Sequence, residues 1–242
     1  HHFPRSRLVS GVLDPQSPFP PLEQANAELG GLLAVGGDLS PRRLLDAYAR
    51  GIFPWGTHQG QPLWYAPDPR MVMIPADFSP SRSLRKTLRG GGYTIRLDTA
   101  FTEVIAACAA QARPGQAGTW ISSDMQTAYR RLHELGWAHS VETWVEGELV
   151  GGLYGLAIGK AFFGESMFSR RTDASKIAFA HLCRYLSGRA FGIIDCQMHT
   201  QHLASLGAAE IPRDEFVRRI ATLTADAAPG RWAGDGAEGK WG

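Results

Sequence analysis

The stretch from Ile193 to His202, "IIDCQMHTQH", brings together a carboxylate, a thiol, a side-chain amide and two imidazoles. Three kinds of chemistry could use that set. Cys196, His199 and His202 could hold a metal, Cys196 could act as a nucleophile with a histidine base, or a strand end could present Asp195 and Gln197 to a substrate. Strand geometry weighs between them, because successive side chains point to opposite faces. Asp195 and Gln197 then share one face, and Ile194 and Cys196 the other. A thiol aligned with Ile194 on a core-facing row has neither a base in reach nor a field that favours thiolate. The Cys/His trio has no evident fourth ligand and would need the chain to curl back at once. What stands is a carboxylate two residues from an amide, at the end of an apolar strand, where α/β folds hold their ligands.

A second carboxylate sits in a comparable setting. "FFGESMFS" places Glu165 among Phe162, Phe163, Met167 and Phe168, side chains that build an adaptable apolar pocket with few fixed polar groups. A buried, partnerless carboxylate is costly. Glu165 is therefore either salt-bridged to Arg170 or Arg171 or turned toward a ligand.

The elements that would position these groups follow from local signals. In "LSPRRLLDAYARG" Ser40 caps, Pro41 takes the first helical position and Gly51 ends a short helix with Leu44, Leu45 and Tyr48 as its apolar stripe. The proline- and aromatic-rich "IFPWGTHQGQPLWYAPDPR" reads as a loop. Its Trp55, Trp64 and Tyr65 either line a site or plug a small core. A helix from Ser79 and Pro80 to Gly90 follows, with Arg82, Arg85, Lys86 and Arg89 in one arc and Leu84 and Leu88 opposite. No acid interleaves those four cations, so the face is either solvated or binds a polyanion.

From Tyr93 the order reads strand, helix, helix, three strands, helix, strand. "YTIRLD" alternates, and Phe101, Val104, Ile105 and Cys108 recur at helical spacing, which puts Cys108 in the core. A Pro/Gly loop leads to a helix with Met125, Tyr129 and Leu132 on one side. "AHSVETWV", "ELVGGLYGLAIG" and "KAFFGESMFS" form an antiparallel meander, its first two strands joined at Glu146-Gly147. "TDASKIAFAHLCRYLSG" is a capped helix burying Ile177 and Leu182, and "AFGIIDCQ" a closing strand. The expected class is α+β with α/β-like alternation: residues 1–92 as a small N-terminal domain containing the basic helix 80–89, residues 93–224 as a second, larger domain, and the Gly/Ala-rich residues 225–242 as a flexible tail.

Composition bounds the partners only loosely. The chain has 242 residues, 44% of them hydrophobic, which is enough for a sizeable core, and a net charge of +2 that by itself implies no nucleic acid. Three cysteines without a CxxC pair argue against a disulfide framework or zinc ribbon. No run approaches the roughly 20 apolar residues that cross a bilayer, and the start lacks a signal-peptide core. A cytoplasmic monomer with no membrane contact, no metal and no cofactor is expected.

Several longer motifs go further. "GLLAVGGDLSPRRLLDAYARGIFPW", "WYAPDPR", "GTWISSDM", "YRRLHELGWAHSVETW", "GELVGGLYG", "GESMFSR", "ASKIAFAHL" and "IIDCQ…HLASLGA" resemble the bacterial leucyl/phenylalanyl-tRNA–protein transferase family over residues 17 to 222. The resemblance implies a C-terminal domain of the acetyltransferase-like (GNAT-type) fold. The activity it implies is transfer of Leu or Phe from aminoacyl-tRNA to a protein with N-terminal Arg or Lys, creating a degradation signal. By motif, Asp195 and Gln197 correspond to the pair that handles the attacking amine, Asp195 holding the Gln197 amide and attracting the cationic acceptor. Glu165, with Ser166 beside it, matches a pocket carboxylate. Tyr48, Trp55, Trp120 and Tyr129 match aromatics around the aminoacyl end of the tRNA. Phe162, Met167 and Ile194 match the amino-acid pocket, and Arg82, Arg85, Lys86 and Arg89 a tRNA-contacting region. On this reading Cys196 and the histidines are bystanders. Thr200 stands where the family pattern has Asn, and Leu153 where it has Met.

Two other classes compete. A coenzyme-A-dependent N-acetyltransferase would share the fold but expects a glycine-rich loop at the central helix to cradle pyrophosphate, and "SRRTDASK" has no glycine. A non-enzymatic RNA-binding module would use the basic helix but leaves Glu165, Asp195 and Gln197 without a purpose.

Overall fold

The first helix starts as the local signals require: the Ser40 hydroxyl accepts the Arg43 N–H at 3.3 Å and Pro41 opens α1 (Pro41–Ala49). The computed structural model describes residues 12–111, 121–232 and 241–242. The segment after α1 is where the expectation of a loop fails. Phe53–His58 (β2) and Gln61–Tyr65 (β3) form a hairpin, and β3 also pairs with Leu32–Val35 (β1), giving the antiparallel order β1-β3-β2. The prolines fit because neither has to donate. Pro54 lies on the edge strand β2 beside a bulge, and Pro62 near the start of β3 uses only its carbonyl, which accepts from Gly36 N–H at 2.9 Å. Gln59 and Gly60, at φ +50° and +78°, make the tight turn. Trp64 fills the centre of this small unit and donates to the Gly36 carbonyl at 2.7 Å.

The larger sheet has seven strands: β4 (Arg70–Met73), β5 (Thr94–Leu97), β6 (Ala138–Val145), β7 (Glu148–Ile158), β8 (Ala161–Ser169), β9 (Ile193–Asp195) and β10 (Ala209–Ile211). Their order is β10-β4-β9-β8-β7-β6-β5. The meander β6-β7-β8 is antiparallel, whereas β8 and β9 run parallel. A parallel step needs a crossover, supplied by α5 (Ala174–Gly188). The start of α5 lies so close to Gly151 that a Cβ there would stand 2.5 Å from that of Ala174.

Apolar side chains on the two faces of this sheet feed two cores. One gathers α1, α3 (Phe101–Ala110), α4 (Ser123–Glu134) and α7 (Arg213–Leu223) together with the small sheet; the other gathers α5 and α2 (Arg82–Gly90). A short α6 (Gln201–Ser205) follows β9.

Four expectations need correction. α2 begins at Arg82, behind a Ser81 cap whose hydroxyl accepts from Leu84 N–H at 3.1 Å, rather than at Ser79 and Pro80. Asp173 before α5 sits at φ +65° and makes no side-chain cap. β4 pairs within the larger sheet and α2 packs through Leu84 and Leu88 into its α5-side core, so residues 1–92 do not form one separate unit. Nor are the described residues of 225–242 a loose tail: the Trp232 ring stacks on His139 at 4.3 Å, and Trp241 packs against Phe78 and His181. The Pro/Gly loop, with Trp120, lies outside the described residues. None of the described helices is long and apolar enough to cross a membrane.

Candidate active site

β8 is interrupted at Glu165. Tyr154 pairs with Ser166 and Gly155 with Gly164, leaving Glu165 as the extra residue of a bulge. Alternation is lost there: Phe162 belongs to the α5-side core and Phe168, an even number of residues on, to the opposite one. A bulge re-aims the side chain it carries, and the Glu165 carboxyl is turned between α1, α4 and the end of β9. Its Oε1 accepts from the Tyr48 hydroxyl and, at 3.2 Å, from Gln197 Nε2. The Tyr48 hydroxyl also meets that of Tyr129. Oε2 is out of contact with solvent and has no hydrogen-bond partner among the described residues.

That under-partnered setting moves the titration. Burial, reinforced by the nearby Asp195 charge, lifts the Glu165 carboxyl to about 8, against opposing pulls from the Tyr48 and Tyr129 hydroxyls and Arg70. Burial likewise holds Tyr48, Tyr129 and Tyr154 well above the usual phenol range, so all three stay protonated. Of the two alternatives for Glu165, the salt bridge to Arg170 or Arg171 is absent among the described residues; the carboxyl bonds hydroxyl and amide instead.

Asp195, on the neighbouring strand, is differently placed. It is 1% exposed, and Arg70 from β4 grips it with two bonds, Nε to Oδ1 at 3.0 Å and Nη2 to Oδ2 at 2.8 Å. The third Arg70 bond goes to the Gly51 carbonyl at 2.7 Å, and its guanidinium lies over the rings of Phe53 and Phe216. Asp195 Oδ1 also accepts the Gln197 backbone N–H at 2.9 Å. The expected roles are thereby corrected. Asp195 holds the backbone of Gln197 while Glu165 holds its amide, and a carboxylate already gripped by a buried guanidinium does not attract a second cation. β9 ends at Asp195 and Gln197 takes φ +66°, so the two meet through a turn, not through strand alternation.

Beside this cluster lies a cavity of about 450 Å³ walled by Leu153, Phe162, Met167, Phe179, Leu182, Ile194 and Leu203, with Glu165, Ser166, Gln197 and Thr200 among its polar residues. Phe162, Ser166, Met167 and Ile194, which the resemblance assigns to the amino-acid pocket and its edge, all line this cavity. Cys196 and His202, set aside as bystanders, also line it. Burial raises the Cys196 thiol far above its ordinary range, which leaves no nucleophilic thiolate. Burial, with Lys176 nearby, lowers His202, whose ring is neutral at pH 7. Thr200 spends its hydroxyl as the α6 cap, accepting Leu203 N–H at 3.1 Å.

Tyr48 and Tyr129 join the site beneath Glu165, both fully buried. Trp55 does not line the cavity but packs edge-on against Tyr65 in the small sheet. Arg82, Arg85, Lys86 and Arg89 are exposed along α2, and none pairs with another described residue. α2 and the cavity share α5, which seats Leu84 and Leu88 and offers Phe179 and Leu182 to the cavity. Arg70 escaped the sequence reading; its only signal is its place in "APDPR".

An antiparallel meander stepping through a parallel strand pair around a central helix, with a cavity at the end of that pair, is the arrangement of the acetyltransferase-like fold. The family model described as leucyl/phenylalanyl-tRNA protein transferase matches residues 72–221, and that of the family's N-terminal domain residues 37–68. Proteins named leucyl/phenylalanyl-tRNA–protein transferase match at 65% identity in Dechloromonas aromatica (90% of this chain, 93% of that one) and at 62% in Nitrosomonas europaea (86% and 88%). The chain belongs to the leucyl/phenylalanyl-tRNA–protein transferase family. Solved structures match distantly, among them FemX at 11% identity and TM-score 0.42, over 75% of this chain and 71% of that one; no conclusion rests on them.

Proposed function

We propose that this protein moves leucine or phenylalanine from aminoacyl-tRNA to the N-terminal Arg or Lys of an acceptor protein, marking it for degradation. Family membership supports the reaction. One arrangement supports the site: a partnerless Glu165 oxygen beside the Gln197 amide, in the lining of an apolar cavity. The cavity, within the range of small-ligand pockets, takes the donor's side chain, and the cations of α2 take phosphates of the tRNA.

An aminoacyl ester is already activated, and an α-amino group has a pKa near 8. Positioning therefore supplies much of the rate. Gln197 does not titrate, but with Nε2 committed to Glu165 its carbonyl oxygen is free to accept a hydrogen bond from the amine. Glu165, held at about 8, matches the amine, so a proton passes between them at little cost. The amine nitrogen attacks the ester carbonyl and its proton goes to ionised Glu165. The C–N bond forms, the C–O bond breaks, and the proton passes to the departing ribose oxygen. Asp195 is a positioning residue that, clamped by Arg70, holds the Gln197 turn.

The test is transfer of labelled leucine from Leu-tRNA to an Arg-starting peptide, with acetyl-CoA as the control donor. Labelled peptide from the tRNA alone is expected. Acetylation without leucine transfer would overturn the reading.

A further inference from the structure

The C-terminal segment reaches the donor pocket from behind. Phe162 is fully buried, yet its ring lines the cavity. Two neighbours hold that ring. Gly155 on β7 is one: a Cβ there would stand 2.7 Å from the tip of the ring, so only glycine leaves it room. The other is Trp232, 63 residues beyond the end of β8 in sequence, whose ring lies 5.7 Å from that of Phe162 at an interplanar angle of 29°. Trp232 does not itself line the cavity.

Its own position is fixed on several sides. The indole stacks face to face on the buried His139 at 4.3 Å and 3°, and meets Tyr185 of α5 at 4.8 Å. The Trp232 backbone N–H donates to Asp98 Oδ2 at 3.2 Å, the oxygen that also meets His139 Nδ1 at 2.7 Å. Asp98 Oδ1 accepts from Ser140 N–H at 2.9 Å. With its ring held by a stack and a second aromatic and its backbone by a carboxylate, Trp232 is a fixed support behind Phe162.

We infer that Trp232 is a specificity-determining positioning residue: by bracing Phe162 it sets the depth of the pocket, and with it the balance between leucine and the larger phenylalanine. The inference rests on the reading of this cavity as the donor side-chain site. Removing the indole leaves space into which the Phe162 ring tilts, and a deeper pocket favours the larger side chain. A change of one methylene in an apolar pocket is worth roughly 10- to 200-fold in discrimination, and a ring tilt should reach the lower part of that range.

The experiment measures kcat/KM for Leu-tRNA and Phe-tRNA side by side in the parent, Trp232→Leu and Trp232→Phe, with melting temperatures to confirm folding. The expected result is a Phe:Leu ratio raised about tenfold or more in Trp232→Leu, carried by the donor's KM, and returned toward the parent in Trp232→Phe. Should Trp232→Leu fold poorly, the Phe:Leu ratio in Trp232→Phe against Trp232→Tyr decides, since the two rings fill the space differently. Equal loss for both donors, or an unchanged ratio in folded variants, overturns the inference while leaving the donor-site reading intact. Failure of that reading shows separately, as a parent that does not discriminate donors by side chain when Ile-tRNA is compared with Leu-tRNA.

Discussion

Two carboxylates on adjacent parallel strands, paired in register near Phe163 and Asp195, have opposite surroundings. Asp195 accepts from Arg70 on both oxygens and from the Gln197 N–H on Oδ1. Glu165 has one oxygen shared by Tyr48 and Gln197 and one with no partner among the described residues. Charge compensation makes the first a strut, and its absence makes the second a titrating group near neutrality. A carboxylate's residue type therefore does not assign its role; the count of donors around it does.

The largest effect should come from breaking the strut. Arg70→Ala leaves Asp195 buried and unpaired, and loses the bond to Gly51 and the contacts with Phe53 and Phe216. It should cost about 3–5 kcal/mol of stability, measurable by urea unfolding. Replacing both partners with apolar residues, Arg70→Met with Asp195→Leu, should recover part of that stability without restoring full transfer, because the Gln197 turn has lost its anchor. A double variant with full activity would show that the strut does not position Gln197.

Glu165→Gln should leave the fold standing but lower transfer about 10²- to 10⁴-fold, the range for losing a proton-transferring group. It also sharpens the comparison through pH. The folded carboxyl keeps its proton up to about pH 8, whereas the unfolded one releases it near about 4.3. Stability from this group is fully present below the unfolded value and is lost as pH rises toward 8. The melting temperature of Glu165→Gln relative to the parent should therefore climb between pH 5 and 8 and level off above. A difference that stays flat across that window would mean the carboxyl is not raised.

How far the sequence discloses these two surroundings follows from how local their causes are. Ser40, Pro41 and Gly51 bound α1 with neighbours only, and the strand–helix order from Tyr93 follows from periodicity, so both are legible. Glu165, Asp195 and Gln197 stand out by type. Their partners do not: Arg70 lies 125 residues from Asp195, and Tyr48 lies 117 from Glu165. The bulge at Glu165 is set by the register of β7 against β8, which no single strand reveals. The aromatic hairpin was hidden because proline punctuates local structure, while β3 needs from Pro62 only a carbonyl. Trp232 was hidden by the low-complexity chain around it.

Outside that pair of carboxylates, charge acts through solvent and the effects shrink. Arg85 and Lys86 are exposed on α2 and unpaired among the described residues. Replacing both with Ala should flatten the salt dependence of aminoacyl-tRNA binding by up to about two phosphate contacts, at roughly 0.7 to 0.9 in slope for each. Transfer from a minimal donor such as phenylalanyl-adenosine should be unchanged, since phosphate contacts position the tRNA and leave the pocket alone. An unchanged slope would move the tRNA to another surface.

The smallest effect is expected next to the strut, at Cys196. Its thiol lines the same cavity as Glu165 and is likewise lifted by burial and by the Asp195 charge, so environment alone would suggest a second reactive group. The direction of the shift decides otherwise. A raised carboxyl moves toward neutrality and becomes a usable proton acceptor, whereas a raised thiol moves away from it and loses its thiolate. Cys196 Sγ also has a partner, the Ile194 carbonyl at 3.8 Å, which a serine hydroxyl can replace. Cys196→Ser should therefore keep transfer within about twofold and cost about 1 kcal/mol, the low end for placing a hydroxyl in an apolar wall with a hydrogen bond available. Steady-state transfer and thermal melts check both halves. A folded but inactive Cys196→Ser would put the sulfur in the chemistry and end the division of labour between Asp195 and Glu165.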